Sequence, residues 1–386
     1  GCPIDWRRQY SADVRYVKLP TYPWQREVYW SEDAESQVDR IGESLHPLLD
    51  RRVPNPRPMW EAAVNGQILP YLNDHQVDGL VVMPGAAYVE AGLAAFQQVT
   101  GDARCALVQL QFHQALMPNT GGADQIVHVE LDQTSGEYGF YSRESAEQQN
   151  WQLNASGNIF AIQETESLVI DQDAITGRCG ESVNIEKLYE GLAERGLWYG
   201  PSFRTIRGLQ RGQGEVLARI ELSQEFSGDE AAYHLSPSLL DGCFQSLIVT
   251  LEGSDKFYMP VGIKRLTYYG KPGNAFWCHG RLTTVADEDL VGELQLFDDT
   301  GKVWVSVEGL RCRGLAAQHG NPIEQLKQWA YAWEWNSQPL PPSQAKTGTW
   351  IVLTDRIGLG DALCDALETH VENTVIRVPY PTYAEH

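Results

Sequence analysis

Two stretches of the chain are apolar on nearly every side. "PGAAYVEAGLAAFQQV" (84–99) is apolar around most of a helical circumference, with Ala and Gly small enough for close approach. Such a pattern predicts a buried helix rather than an amphipathic one, and Pro84 suits its first turn. "SPSLLDGCFQSLIVTL" (236–251) predicts a second buried helix of the same kind. Around each, the pattern changes to strict alternation, the period of a strand with one face buried. After the first come "ALVQLQF" (106–112), "QIVHVEL" (125–131), "YGFYSR" (138–143), "NWQLNASGNIFAI" and "SLVIDQ". After the second come "KRLTYYG", "AFWCHGRLTTV", "LVGELQLFDD" and "KVWVSVEGLRCRGL" (302–315). A short amphipathic helix is predicted at "NIEKLYEGLAERG" (184–196).

The same pattern therefore occurs twice, without evident sequence identity between the copies. It predicts an α+β fold of two similar units side by side, each a curved antiparallel sheet wrapped around its helix. A single large α+β domain is the plainer alternative. The expected divisions are 1–37, 38–180, 181–318 and 319–386. In the first, "LPTYPWQREVYW" (19–30) is rich in Pro and aromatics and reads as an extended strip laid over another surface. In the last, a Gly-, Pro- and Gln-containing linker leads to "TWIVLTDRIGLGDALCDALETH" (349–370), a strand, a turn and a helix. Its lone GLG is weak evidence for a nucleotide site. One such unit is too little to close a sheet, so the expectation is a chain that stops inside a neighbouring domain.

Length and charge narrow the function. At roughly 150 residues per domain, 386 residues suggest two to three domains. A formal net charge of −21 argues against a general binder of nucleic acid or anionic membrane, both polyanions. No apolar run reaches the length of a membrane span. The seven cysteines are scattered and include no CxxC pair, so neither a disulfide framework nor a zinc site is indicated. A reducing cytoplasm is the expected compartment.

Candidate chemistry sits at the edges of the two buried helices. His75 precedes the first, in the spacing H-x-x-x-G-x-x-x-x-P formed with Gly79 and Pro84. An imidazole in a poorly solvated pocket is held neutral and can accept a proton near neutral pH. The helix N-terminus that follows carries unpaired N–H groups and partial positive charge. Gly85 lets a ligand atom approach that backbone, and a carbonyl oxygen held there would be polarised. The competing reading is a hydrogen-bonded core histidine, the commoner fate of a lone His.

Asp241 lies inside the second helix among Leu239, Leu240, Cys243 and Phe244. A carboxylate there is costly unless paired or protonated. Gln245, four residues on, shares its helix face and can fix its rotamer. A buried Asp with a raised pKa is a good general acid; a capping Asp is the equal alternative. "GLWYGPSF" (196–203) offers the Tyr199 hydroxyl and Phe203 around a Gly200-Pro201 turn, more often only a structural feature. His113 and His128 read as surface strand residues and His46 as structural. His234, seven residues before Asp241, has a minor chance of touching the site. Arg204, Arg207 and Arg211 lie close together in "RTIRGLQRG" and form a local basic patch in an acidic chain.

These motifs resemble a known family. "LPTYPWQREVYW" is similar to the segment that follows the acyltransferase in modular polyketide synthases. "HPLLD", "HQVDGLVVMPGAAYVEAG", "GLWYGPSF" and "SPSLLDGCFQSL" resemble, in order, the motifs of the polyketide synthase dehydratase domain. "AYAWEW" followed by "TWIVLTD" resembles the start of the structural half of a ketoreductase. The resemblance implies a double-hotdog fold and dehydration of a 3-hydroxyacyl thioester, carried on the phosphopantetheine arm of an acyl carrier protein, to the α,β-enoyl thioester. It implies His75 as the base and Asp241 as the acid, with Gln245 orienting Asp241. Tyr199, Gly200, Pro201 and Phe203 would lie by the substrate, and Gly79 and Gly85 near its carbonyl. It implies no metal or redox cofactor, neighbouring acyltransferase and ketoreductase domains in the same polypeptide, and a homodimer. Ser236 departs from the family, which commonly has His there; His234 is the expected partial replacement. A double-bond isomerase using the same two groups, or a silent scaffold domain, are the alternatives. The arginine stretch is the candidate surface for the carrier.

Overall fold

The computed structural model describes residues 46–118, 125–143, 150–162, 168–223, 232–249, 256–285, 289–316, 349–354, 359–369 and 374–378. The predicted strip at 19–30, "AYAWEW", and the linker between 316 and 349 lie outside them.

Helix α1 (Gly85–Thr100) forms where the apolar run predicts it, and Ala86 through Phe96 are all buried. Pro84 sits one position earlier than expected, as the extended N-cap. Gly101, at φ 78°, closes the helix with a left-handed cap that only glycine adopts without strain. Gly92 lets α1 lie against its sheet, since a Cβ there would come within 3.1 Å of Ile159 and Leu107 side chains. Helix α4 (Pro237–Ile248) is likewise buried from Pro237 through Leu247, and the two helices pack together. Each buried Leu, Val or Phe on them contributes about 1.5–3 kcal/mol by leaving water. Two smaller helices, α2 (Gln172–Arg178) and α3 (Ile185–Glu194), fall between them.

The first-half strands are β1 (Arg51–Arg52), β2 (Met59–Val64), β3 (His75–Val77), β4 (Leu80–Val81), β5 (Cys105–Phe112), β6 (Gln125–Leu131), β7 (Glu137–Arg143) and β8 (Gln152–Ala161). Those of the second half are β9 (Glu181–Ser182), β10 (Leu197–Tyr199), β11 (Ile206–Arg211), β12 (Glu215–Glu221), β13 (Lys256–Tyr268), β14 (Ala275–Val285), β15 (Asp289–Phe297) and β16 (Val303–Ala316). Thirteen of these form one sheet in the order β1-β2-β6-β7-β8-β5-β13-β16-β15-β14-β12-β11-β9. The halves join where β5 and β13 pair antiparallel, from Gly262 opposite Gln111 to Tyr268 opposite Cys105. Gly262 permits this seam, because a Cβ there would stand 2.8 Å from the Leu110 carbonyl oxygen. Each half curls around its own helix, so the architecture is the double hotdog that the motifs implied.

One expected strand is corrected. "SLVIDQ" makes only a single bridge, Val169 to Lys302. Asp171 then turns the chain into α2, its carboxylate accepting the Ala174 N–H at 3.1 Å. The capping preference of Asp outweighs the short β-branched run before it.

A separate three-stranded sheet, β10-β3-β4, crosses between the halves. β3 and β4 form a hairpin whose two turn residues, Asp78 (φ 50°) and Gly79 (φ 79°), are both left-handed, as a two-residue hairpin loop requires. β10 comes from the second half and pairs antiparallel with β3, setting Tyr199 opposite His75.

A second compact unit lies within 330–386. Parallel strands β17 (Thr349–Leu353) and β18 (Thr374–Val378) flank helix α5 (Leu359–Glu368). The strand and the helix stand where they were predicted, with one more strand; residues 355–358 of the predicted turn lie outside the described residues, and Leu359 and Gly360 already belong to the helix. Among the described residues no helix is long and apolar enough to cross a membrane.

Candidate active site

His75 begins β3 directly after a single 3₁₀ turn, Pro70–Asp74. Its Nδ1 lies 2.7 Å from the Val82 carbonyl oxygen. A carbonyl only accepts, so Nδ1 carries a proton, and Nε2 is the ring nitrogen placed to accept one. His75 is 8% exposed. It is packed edge-on against Tyr199 (centroids 5.5 Å apart) and tilted against Phe203 (5.0 Å).

Asp241 lies in the second turn of α4 and is 5% exposed. It does not cap the helix; Ser236 holds the N-cap position, without a side-chain cap bond. Asp241 Oδ2 accepts a hydrogen bond from Gln245 Nε2 at 2.8 Å, on the shared helix face predicted by the four-residue spacing. Asp241 Oδ1 faces His75 Nε2 at 3.9 Å, too far for a hydrogen bond. Burial pushes the Asp241 pKa up, and the nearby imidazole and the Gln245 amide only partly oppose this.

Gln245 is itself fixed. Its Nε2 also donates to the Phe203 carbonyl at 3.2 Å, and its Oε1 accepts from the Tyr189 hydroxyl at 3.2 Å. Burial raises the Tyr189 and Tyr199 phenol pKa values, Asp241 adding to both, so both side chains are hydroxyl donors.

These groups share one narrow cavity of about 100 Å³. His75, Gly85, Tyr199, Asp241 and Gln245 line it, together with Tyr88, Phe112, Phe244, Tyr258 and Cys312. Burial pushes the Cys312 thiol up to about 12, so it stays protonated. The other four sequence candidates lie outside the lining. Gly79 makes the β3–β4 turn. Gly200 and Pro201 form the turn after β10 and face an outer cleft with Trp198, Arg204 and Arg207. Phe203, fully buried, backs the His75 ring.

Several contributors were not read from the sequence. Asp74 braces the Gly200–Ser202 turn: its carboxylate accepts the Ser202 N–H at 2.9 Å and hydroxyl at 2.8 Å, and its carbonyl accepts the Gly200 N–H at 2.7 Å. Its place beside His75 was the available signal. Tyr189 lies on the buried face of α3, where an aromatic among charged neighbours was the signal. His113 differs from its surface reading by also lining the cavity, with Nε2 2.7 Å from Ser156 Oγ. His128 is half-buried against Trp151 and within 2.8 Å of Glu61. His234 is not among the lining residues; its ring lies against His46 and Tyr268.

The basic stretch is divided. Arg204 donates to the Tyr199 carbonyl at 2.8 Å and lies over the Tyr189 ring. Arg211 pairs with Glu181, and Arg207 is exposed. Among the described residues no group of three or more His, Cys, Asp or Glu is arranged to hold a metal.

Two family models match the chain. The polyketide synthase dehydratase domain covers residues 46–143, and the polyketide synthase dehydratase N-terminal domain covers residues 170–322. Polyketide synthase ThaG of Burkholderia thailandensis is 30% identical over 335 residues, 82% of this chain but 6% of that protein. A mycocerosic acid synthase-like polyketide synthase of Mycobacterium tuberculosis is 27% identical over 415 residues, 100% of this chain and 19% of that protein. The chain thus spans a small part of these relatives. Among solved structures, the dehydratase domain from the CurJ module of curacin polyketide synthase matches with a TM-score of 0.64 at 28% identity, covering 71% of this chain and 99% of that one. Two CurK dehydratases described as inactive mutants also match. One carries an aspartate-to-asparagine change (TM-score 0.65, 26% identity, 70% of this chain and 100% of that one). The other carries a histidine-to-phenylalanine change (0.64, 27%, 71% and 98%).

Proposed function

Because the chain belongs to the dehydratase domains of modular polyketide synthases, we propose that it removes water from a 3-hydroxyacyl thioester to give the α,β-enoyl thioester. The acyl group is carried on the phosphopantetheine arm of an acyl carrier protein. The observation that carries this reading is the pairing of His75 Nε2 and Asp241 Oδ1 at 3.9 Å across one narrow cavity. That two inactive CurK dehydratases are altered at a histidine and at an aspartate is consistent with it.

The chemistry sets two separate problems. A thioester α-proton is only weakly acidic, and hydroxide is a poor leaving group. His75 Nε2 takes the α-proton, while the Val82 carbonyl on Nδ1–H holds the tautomer and favours the imidazolium that forms. Asp241, kept protonated by burial, gives its proton to the departing hydroxyl. The α-proton ends on His75, the Asp241 proton leaves as part of water, and the C–H pair becomes the new double bond. Gly85, at the N-terminus of α1 and in the cavity wall, brings the thioester carbonyl to the unpaired N–H groups of the helix, where the developing negative charge is stabilised. Tyr199 packs beside the substrate, and Gln245 holds the Asp241 rotamer. No metal or redox cofactor enters this sequence of steps. Arg204 and Arg207 beside Trp198 are the part of the basic stretch offered to an acidic carrier, since Arg211 is engaged with Glu181. Acyltransferase and ketoreductase neighbours, a homodimer and a cytoplasmic setting belong to the same proposal.

The test is mass spectrometry for loss of water from a panel of 3R and 3S carrier-bound 3-hydroxyacyl groups. His75→Ala and Asp241→Asn should each abolish the loss while circular dichroism shows the fold retained. Turnover like that of the unaltered protein in either variant would remove the assignment. An enoyl thioester whose double bond migrates without hydration would identify an isomerase instead.

A further inference from the structure

Glu90 is the single charged residue of α1 and is fully buried. Its carboxylate accepts three N–H bonds: His46 Nε2 (3.0 Å) and the His234 amide (2.7 Å) on Oε1, and the Leu235 amide (2.7 Å) on Oε2. His46 is a neutral donor here, because its Nδ1 accepts the Leu48 N–H at 3.1 Å and the ring proton therefore sits on Nε2. The segment thus gripped, His234–Leu235, leads directly into Ser236 and α4. It is tied from other sides too. The Tyr268 hydroxyl donates to the His234 carbonyl at 3.2 Å, and Lys271 Nζ to the Tyr233 carbonyl at 2.7 Å. Ser236 supplies no side-chain cap, so what holds the approach to α4 comes from outside that helix.

We propose that Glu90 is a positioning residue for Asp241: it fixes the start of α4 to α1, the helix whose N-terminus lines the cavity. Truncating or neutralising it lets α4 move relative to His75, without touching any group in the cavity wall. A displacement of about 1 Å at reacting groups costs on the order of a hundredfold in rate. The inference rests on the dehydratase reading for its kinetic consequence, but not for its structural one. Asp241 is faced by His75, Gln245, Tyr189, Tyr199, Cys243 and Cys312, and Glu90 by His46, His234, Tyr268 and Cys105.

The test uses the full chain and the variants Glu90→Gln, His46→Ala and His46→Gln. In Glu90→Gln an amide NH₂ must face backbone N–H donors and drives the segment away. The expected result is a fall in kcat of about ten- to hundredfold with KM within about twofold. The protonated-carboxyl infrared band of Asp241, identified by its loss in Asp241→Asn, should titrate at lower pH than in the unaltered protein, as water enters a loosened slot. His46→Ala, which keeps both amide bonds, should show the same changes in smaller measure. His46→Gln, which restores a donor to Glu90, should reverse them. Unchanged kcat and an unchanged Asp241 midpoint in Glu90→Gln would overturn the proposal. So would activity loss that follows only the unfolded fraction seen by circular dichroism. If Glu90→Gln does not fold, failure of His46→Gln to rescue His46→Ala overturns it equally. If the unaltered protein dehydrates nothing, the functional reading falls, while the infrared midpoint still decides the role of Glu90.

Discussion

Replacing Gln245 with Leu separates the orientation of Asp241 from its chemistry. Leu is close to Gln in volume and suits a helix, so α4 persists. Three hydrogen bonds vanish: the 2.8 Å bond to Asp241, the 3.2 Å bond to the Phe203 carbonyl and the 3.2 Å bond from Tyr189. The Tyr189 hydroxyl then loses its side-chain acceptor, at about 1–3 kcal/mol for an unsatisfied buried polar group. The bond to Asp241 has a definite sign. An amide N–H donated to a carboxylate favours the ionised form, so its removal raises the Asp241 pKa further above the ordinary range. A hydrogen bond to a charged group contributes about 1.5–3 kcal/mol, which is roughly a ten- to hundredfold change in the ionisation equilibrium. The assay follows the Asp241 carboxyl band by infrared titration, beside urea unfolding and turnover of a 3-hydroxyacyl thioester. The midpoint should rise, unfolding should become easier by about 1–3 kcal/mol, and kcat should fall because the acid no longer holds one rotamer. A midpoint that stays put or moves down would refute the reasoning, because the 2.8 Å bond would then not be acting on the carboxylate.

Asp241→Asn should be inactive yet more stable at about pH 8 than the unaltered protein. Because burial raises the folded pKa of Asp241, the protonated carboxyl folds without penalty below the ordinary aspartate range near pH 4. Its stabilising share is lost as pH rises through the folded pKa. Asn never ionises, so its melting-temperature advantage should be present at high pH and close as pH falls toward about 4; calorimetry across that range checks it. Gly200→Ala should destabilise the chain by about 1–3 kcal/mol, because a Cβ there would collide with the Asp74 carboxyl group that holds Ser202. Urea denaturation measures the loss, and kcat should drop with it, since the turn sets Tyr199 opposite His75.

The two buried helices were legible in the sequence because an apolar circumference suits only a helix enclosed on every side. Strands such as β6 and β14 were legible because one face is buried and alternation follows directly. The β3–β4–β10 sheet was not. Its strands are two or three residues long, and its formation depends on a strand from the other half of the chain. The seam between β5 and β13 was hidden for a related reason. Register over that distance is a property of the closed fold, and the bulge between Pro260 and Gly262 breaks the period ahead of "KRLTYYG", so only the later part of β13 was predicted. At the site, Asp241 and Gln245 could be paired from a four-residue spacing, while Tyr189 joins them only through the placement of α3.

Asp241 and Glu90 carry the same signal in the sequence: a lone carboxyl in an otherwise apolar helix. The pattern of residues cannot divide these two, but donor supply does. Glu90 has three N–H groups directed at its two oxygens, leaving it an acceptor with its needs met. Among the described residues Asp241 has one donor, on Oδ2, and its Oδ1 stands 3.9 Å from His75 Nε2. A buried carboxyl short of donors is the one that keeps a proton, and so the one able to hand it to a leaving group. The saturated carboxyl serves as an anchor for the helix that carries the other. In the proposed reaction the two residues therefore divide the work by place and environment: Asp241 lines the cavity, and Glu90 lies outside its lining.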